Sequence, residues 1–294
     1  MIEIKGCGTA LVTPFEKKNS EVDYVAFRKL VRRQIAGGIH FLVPLGTTGE
    51  TPCLEDNEKL QLVEITLEES GGRIPVVVGV GSNNTKHVMH NIHFFNKLEV
   101  DAFLVVTPYY NKPTQQGMVN HFTTVAGSTD KPIIMYNVPA RTSVNMTAET
   151  TLKLAEVKNI IATKEASSNY SQISEVIRNA PDGFSVLSGN DDETLSLVST
   201  GARGLISVAS NIAPKLMSEF LDKLLLDEFE EAKALHYKLS PLFKSCFVES
   251  NPIPVKAGLH KLGLLENVLR APLYASTEST LKTMESTLKE LKLM

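Results

Sequence analysis

Eight times along this 294-residue chain a short apolar run gives way to a longer stretch of helical period, and that alternation limits the fold more than any single motif does. Runs of four to six apolar residues with no polar face suit strands buried on both sides, as in a parallel sheet covered by helices. The first four candidates are Gly8 to Thr13, Ile39 to Pro44, Pro75 to Gly79 and Asp101 to Val106. The series continues with Pro132 to Tyr136, Ile160 to Thr163, Phe184 to Leu187 and Gly204 to Val208. Successive starts lie about 20 to 36 residues apart, the length of repeated strand–helix–strand units of ~30 residues.

The stretches between them carry helix signals. In Val22 to Ile35, apolar Val22, Val25, Phe27, Leu30, Val31 and Ile35 recur at helical spacing, and Gly37-Gly38 then stops the run. Thr147-Ala148-Glu149-Thr150 places a capping hydroxyl and an early glutamate ahead of the sixth strand. Eight units without a long polar linker predict an α/β fold closed into a (β/α)8 TIM barrel over residues 1–226, with an open doubly wound sheet as the alternative. Residues 227–294 read as a C-terminal helical appendage, with helices over Phe229 to Phe247, Pro254 to Leu262 and Pro272 to Leu293. The stripe Leu281, Met284, Leu288 and Leu291 reads as a packing face on the barrel or on another subunit.

Composition narrows the partners. With 43% hydrophobic residues the chain can bury a large core, while a formal charge of −3 and no basic cluster longer than Arg32-Arg33 leave no footprint for nucleic acid or an acidic membrane. No window approaches the ~18 apolar residues of a membrane span, and Glu3 lies where a secretory peptide is apolar, so a soluble cytoplasmic protein with a small-molecule substrate is expected. Cys7, Cys53 and Cys246 are odd in number, widely spaced and without a CxxC pair, which indicates neither a disulfide framework nor a zinc site.

In a barrel of this kind the reactive groups stand at the C-terminal ends of the strands. Asn159-Ile160-Ile161-Ala162-Thr163-Lys164-Glu165-Ala166 delivers a lysine to such an end. Tyr136-Asn137-Val138-Pro139-Ala140-Arg141-Thr142 brings a phenol and a guanidinium to the preceding one, and Gly46-Thr47-Thr48-Gly49-Glu50 follows the second strand with hydroxyls and free backbone N–H groups. Thr47, Thr48, Tyr109, Tyr110, Tyr136, Arg141, Lys164, Gly189 and Ile206 all fall at this end. A sheltered lysine there suits covalent catalysis on a carbonyl, because burial and nearby cations disfavour the ammonium and free the amine lone pair. The resulting iminium withdraws electrons, so a proton alpha to the former carbonyl leaves readily and the enamine becomes a carbon nucleophile. Tyr136, relayed to the Thr47 hydroxyl, is the candidate proton shuttle. The Gly46 to Gly49 N–H groups suit the carboxylate of a 2-oxo acid, and Arg141 suits a second carboxylate.

These segments, together with Thr107-Pro108-Tyr109-Tyr110-Asn111-Lys112-Pro113, Ser188-Gly189-Asn190-Asp191 and Asn251-Pro252-Ile253-Pro254-Val255-Lys256, resemble over the whole chain the dihydrodipicolinate synthases (4-hydroxy-tetrahydrodipicolinate synthases). That family of pyruvate-dependent Schiff-base lyases also holds N-acetylneuraminate lyase. The resemblance implies a lyase of lysine and diaminopimelate biosynthesis that condenses pyruvate with L-aspartate 4-semialdehyde, without metal or other cofactor. It implies Lys164 as the imine-forming residue, Tyr136 as the shuttle and Thr47 as its link to Tyr110, a tyrosine that in the family reaches in from a neighbouring subunit. It further implies Thr48 on the pyruvate carboxylate, Arg141 on the semialdehyde carboxylate, Gly189 and Ile206 along the imine pocket, and a homotetramer built as a dimer of dimers.

Within the family, sialate lyases tend to carry an apolar residue where Arg141 stands and to read Gly-Ser-Thr-Gly-Glu in place of Gly46 to Glu50, so both positions favour the synthase over an N-acetylneuraminate or 2-keto-3-deoxy sugar acid aldolase. In lysine-inhibited relatives an allosteric pocket holds an acidic residue and histidines. Here the corresponding places hold His87, Asp56 and Lys59 while Asn83 and Tyr109 are kept, so weak or absent lysine inhibition is predicted. Outside the family, the alternatives are a non-catalytic barrel and a phosphate-sugar isomerase. The intact lysine, tyrosine and threonine argue against the first, and the thin glycine content near Gly189 and Gly201 argues against the second.

Three further features take plain readings. His87, His90 and His93 recur every three residues on one predicted helix without a carboxylate, a spacing that wraps away from one metal. Gly79-Val80-Gly81-Ser82-Asn83-Asn84 lacks the third glycine of a dinucleotide turn. Asp191-Asp192-Glu193 reads as the acidic first turn of a helix.

Overall fold

The computed structural model describes residues 3–294. The eight strands are β1 (Gly6–Ala10), β2 (Phe41–Val43), β3 (Val77–Gly79), β4 (Ala102–Val106), β5 (Ile133–Asn137), β6 (Ile160–Glu165), β7 (Ser185–Ser188) and β8 (Gly204–Ser207). They form one sheet in the order β2-β1-β8-β7-β6-β5-β4-β3, with parallel pairing, and the chain has the (β/α)8 barrel fold expected from the alternating pattern. Almost every strand residue is buried, which explains why the strands read as apolar runs without a polar face.

Between and after the strands come α1 (Tyr24–Ala36), α2 (Asp56–Ser70), α3 (Thr85–Phe95), α4 (Gln115–Ala126), α5 (Pro139–Thr142), α6 (Ala148–Ala155), α7 (Tyr170–Asn179), α8 (Thr194–Ser199) and α9 (Pro214–Leu225). The last three are α10 (Phe229–Ser245), α11 (Ile253–Lys261) and α12 (Glu278–Glu290). Side chains begin most of the outer helices. Asp23, Asn84, Thr114, Thr147 and Asn169 each accept a hydrogen bond from a first-turn N–H, and α2 opens on a reciprocal Glu55/Glu58 box.

Two helix boundaries differ from the sequence pattern, each for a local reason. Val22 makes an isolated antiparallel bridge with Phe15, so α1 starts only after the Asp23 cap; Gly37 closes it in right-handed geometry and Gly38, at φ 81°, reverses the chain. The final helix begins at Glu278 rather than at Pro272, because the Thr277 hydroxyl accepts from the Thr280 N–H and fixes the first turn there.

The chain groups into two compact units. One comprises Pro75–Ile206 with residues 3–5 and contains β3 to β7, most of β8 and helices α3 to α8. Its core is built on Phe103, Phe122, Ile134 and Met135, all fully buried, and Gly81 lets two strand ends close up, since a Cβ there would sit 2.8 Å from the Val106 nitrogen. The other comprises Gly6–Ile74 and Ser207–Met294. Its core includes Phe15, Phe27, Phe41 and Phe220, and α12 lays Met284 and Leu288 against α11, where a Cβ on Gly258 would meet Met284 Cε at 2.6 Å. No helix among the described residues is long and apolar enough to cross a membrane.

Candidate active site

Tyr136 and Lys164 are partners across the β5/β6 pair, and Asn137 and Glu165 are the next partners along it. Because side chains alternate along a strand, this register sends Tyr136 and Lys164 to one face and Asn137 and Glu165 to the other. On the first face the Lys164 Nζ lies 4.2 Å from the centroid of the Tyr136 ring, with Lys164 only 6% exposed. The same register continues from Lys164 to Leu187 and from Leu187 to Gly204, which places Ile206, two residues on, on that face as well. Ile206 is fully buried.

Gly189 is required by the lysine itself. A Cβ at this position would stand 3.1 Å from Lys164 Cε and 2.8 Å from Ala166 Cβ, while its N–H donates to the Glu165 carbonyl at 2.7 Å. Only glycine leaves the lysine chain its path. Arg141 is held near the same strand ends by α5, which turns back at once: the N–H groups of Arg141 and Thr142 both donate to the Val138 carbonyl, at 2.9 and 3.0 Å. Thr142 is buried and its hydroxyl is engaged with the Val138 and Val144 carbonyls, while Arg141 beside it is exposed.

Burial controls the charges on this face. It pulls the Lys164 ammonium down to about 7; Asp191 opposes that shift and Arg141 adds to it. Burial likewise pushes the Tyr136 phenol up to about 12, against Arg141. Lys164 therefore holds its free amine near neutral pH beside a protonated phenol, the combination that imine formation and proton shuttling need. Asp191 had no functional reading in the sequence, where it is one of three consecutive acids. Of these it alone is buried, on a short 3-10 turn over Asp191–Glu193, and three adjacent carboxylates give no sign of which one turns inward.

The opposite face carries a second buried acid. Glu165 is 1% exposed, and burial pushes its carboxyl up to about 7 against hydrogen bonds from Ser167 and Asn137. Its oxygens accept from Asn137 Nδ2 at 3.0 and 3.3 Å and from the Ser167 N–H at 3.1 Å.

The second unit holds the hydroxyl-rich turn. Thr47–Gly49 form one 3-10 turn and Glu50 follows at φ 53°; Thr48 is buried and Thr47 exposed. The Thr13 hydroxyl donates to the Gly49 carbonyl at 2.7 Å, and Asn251 Nδ2 donates to the Thr48 hydroxyl at 2.9 Å. Beneath the turn Lys256, fully buried, places Nζ 2.6 Å from Glu50 Oε1, 2.8 Å from the Thr13 carbonyl and 4.3 Å from the Phe15 ring centroid. The sequence motif contained Lys256 without a role. A lone lysine inside Ile253-Pro254-Val255-Lys256-Ala257-Gly258-Leu259 was the signal, since a solvated lysine seldom sits in so apolar a stretch.

Tyr110 stands apart from the buried pair. It is 88% exposed and its backbone is left-handed, at φ 73°, in the loop that follows β4. Tyr109 and Asn83 are half-buried, and the Asn83 carbonyl accepts from Asn111 Nδ2 at 2.9 Å. Lys59 pairs with Asp56 at 3.0 Å. His87, His90 and His93 are exposed on α3, and the described residues contain no group of three or more His, Cys, Asp or Glu able to hold a metal ion.

Comparison with known proteins identifies the family and agrees with the fold. The profile of the dihydrodipicolinate synthetase family matches residues 3–291. The 4-hydroxy-tetrahydrodipicolinate synthase of Thermotoga neapolitana is 46% identical over 294 residues, 99% of each chain. Among solved structures, a monomeric dihydrodipicolinate synthase variant superposes with a TM-score of 0.96 at 44% identity, covering 99% of this chain and 97% of the other. The dihydrodipicolinate synthase of Acinetobacter baumannii, solved in complex with pyruvate, superposes with a TM-score of 0.97 at 37% identity, covering 99% of this chain and all of the other. The family profile spans almost all of the described residues and the barrel matches these proteins from end to end, so the chain belongs to the dihydrodipicolinate synthetase family.

Proposed function

We propose that this protein is a lyase with 4-hydroxy-tetrahydrodipicolinate synthase activity, condensing pyruvate with L-aspartate 4-semialdehyde through a Schiff base on Lys164. The observation that carries the reading is the buried Lys164 amine, drawn down to about 7 and seated over the Tyr136 ring. The amine adds to C2 of pyruvate and water leaves, giving the iminium. Tyr136 relays the C3 proton away, and the enamine carbon attacks the aldehyde. The acceptor's own amino group then closes a six-membered ring on C2 and displaces the lysine.

Thr48 and N–H groups of the Gly46 to Gly49 turn, apart from that of Gly49, which donates to the Gly46 carbonyl at 3.0 Å, serve the pyruvate carboxylate in this reading, Thr47 relays protons with Tyr136, and Arg141 meets the acceptor carboxylate. Gly189 and Ile206 shape the imine pocket. An exposed cation held at the strand ends supports an acceptor with its own carboxylate over a neutral sugar. The test is direct: wild-type protein treated with pyruvate and borohydride gains the mass of a reduced adduct, and it turns over pyruvate with the semialdehyde in a coupled assay. Cleavage of a sialic or ketodeoxy acid with no turnover of the semialdehyde reverses the assignment.

The wider reading is a cytoplasmic enzyme of lysine and diaminopimelate biosynthesis, with a catalytic barrel over 1–226 and a helical appendage over 227–294, assembled as a dimer of dimers. Tyr110 supports a shared site: an aromatic side chain held out in solvent on left-handed backbone costs on the order of 1–3 kcal/mol unless something recovers it, and contact with a partner subunit does so. Tyr110→Ala is expected to lower activity about tenfold or more in an assembled dimer, followed by sedimentation alongside kinetics. Full activity in a strictly monomeric wild-type protein refutes the shared site. Asn83 and Tyr109 line the corresponding allosteric position, but His87 stands where an acid would meet an incoming ammonium. Lysine is expected to inhibit weakly or not at all, and strong cooperative inhibition in a titration contradicts this.

A further inference from the structure

The face of the β5/β6 pair turned away from Lys164 carries a closed polar network that the chemistry above does not use. Asn137, the residue after Tyr136, is fully buried, and its Nδ2 donates to both Glu165 oxygens, to Asn145 Oδ1 at 2.9 Å and to the Met146 carbonyl at 3.3 Å. Its Oδ1 accepts from the Met146 N–H at 3.0 Å. Gln172 on α7 joins the network through Asn145 and the Met146 carbonyl. The backbone of Glu165 is tied as well, since its carbonyl accepts from the Gly189 N–H, and the Asn137 carbonyl accepts from the Ala166 N–H at 2.9 Å.

Glu165 thus ties the ends of three strands, its carboxyl holding Asn137 of β5 and its backbone carbonyl holding Gly189 after β7. Lys164 and Tyr136 each stand one residue from a member of this clamp, on the opposite face, so the clamp determines where both reactive groups sit while touching neither. The partners of the Glu165 carboxyl are all neutral: the Asn137 amide, the backbone and hydroxyl of Ser167 and the backbone of Ala166. Its ties toward the site are geometric, through Asn137 and the β5/β6 register.

Resting on the assignment of Lys164 and Tyr136 above, we propose that Glu165 is a positioning residue which, through Asn137, holds the β5 and β6 ends so that the Tyr136 hydroxyl meets the C3 proton of lysine-bound pyruvate. Imine formation needs a free amine, an accessible carbonyl and a proton for the departing hydroxyl, which solvent can also deliver, so it tolerates a small displacement of the phenol. Proton transfer needs hydrogen-bond reach, and a shift of the order of 1 Å costs up to ~100-fold.

The experiment separates these steps. Borohydride trapping with pyruvate reads the imine, and exchange of the pyruvate methyl protons in deuterated buffer, followed by NMR without any aldehyde, reads enamine formation. Glu165→Ala is expected to keep trapping within about twofold of wild type while slowing exchange about 30-fold, whereas Glu165→Gln, which retains the chain length and one acceptor oxygen, slows it only about threefold. Asn137→Ala removes the clamp from the other side and reproduces the slow exchange, with no further loss in the double variant. Circular dichroism establishes that each variant is folded. Undiminished exchange in Glu165→Ala, equal losses of trapping and exchange, a Gln variant as slow as the Ala variant, or additive losses in the double variant each overturn the proposal. Absence of trapping in the wild type removes the imine assignment itself, a different result from any of these.

Discussion

Replacing Lys164 with alanine is expected to abolish the borohydride-trapped pyruvate adduct and to lower kcat/KM by about 10⁴-fold or more, as loss of a covalent nucleophile does. The reactivity expected of the amine follows from burial, the leading influence on its titration. The pH dependence follows from the same cause. Adduct formation by the wild type should rise about tenfold per pH unit below 7, as the fraction of free amine rises, and level off above it. Asp191 stabilises the ammonium, so Asp191→Asn is expected to move this midpoint to lower pH. The stability consequence has the opposite sign to that of a paired lysine. The folded-state value of about 7 lies below the ordinary 10.5, so between those values the unfolded chain holds a proton that the folded chain has released. Burying Lys164 therefore costs stability most below pH 7, and the cost fades as pH rises toward 10.5. Lys164→Met, which keeps the side-chain volume, should melt no lower than wild type at pH 6 while remaining inactive. An adduct that persists without the lysine, or a trapping rate flat from pH 5 to 9, refutes the assignment.

The barrel was legible because its physics is repetitive. Strands covered on both faces cannot alternate polar with apolar residues, so Ala102-Phe103-Leu104-Val105-Val106 and Ile133-Ile134-Met135 announce themselves as continuous runs. Lys164 and Tyr136 were legible for a related reason: each is the first polar or reactive group after such a run, where a parallel barrel opens. Helix starts were legible where a hydroxyl or amide caps the first turn, as at Thr147, and illegible where two starts competed, as at Pro272 and Thr277.

The residues that escaped notice act through tertiary neighbours. Asp191 looks like any acid opening a helix until the fold buries it. Glu165 follows the lysine in the motif, yet its partner Asn137 lies 28 residues away and only the strand register brings the two together. Asn251 reaches Thr48 across 203 positions. Local periodicity encodes which face a side chain takes, and it carries no record of what waits on that face.

The buried pair of Lys256 and Glu50 is expected to dominate the stability of the second unit. Neither side chain has any exposure, and burial draws the Lys256 ammonium down to about 8 while Glu50 opposes the shift. Each ion has few substitutes for its partner among the described residues: Glu50 also accepts from the Arg270 N–H at 3.1 Å and feels the Arg270 charge, and Lys256 donates also to the Thr13 carbonyl and lies over the Phe15 ring. Lys256→Met strands a carboxylate away from water and should cost about 3–5 kcal/mol. At roughly 2–4 °C per kcal/mol for a chain of this size, the melting midpoint falls by about 6–20 °C. The double variant Lys256→Met, Glu50→Gln removes both charges, and its amide oxygen still accepts from Arg270, so it should recover to within about 1–2 kcal/mol of wild type. Glu50 also ends the turn that carries Thr48, on left-handed backbone that the pair helps to hold. Well below its melting midpoint, Lys256→Met should therefore raise KM for pyruvate about tenfold, while trapping at saturating pyruvate still reaches completion because Lys164 is untouched. Equal destabilisation in the single and double variants would show that the pair is not coupled, and an unchanged KM would show that the turn keeps its shape without it.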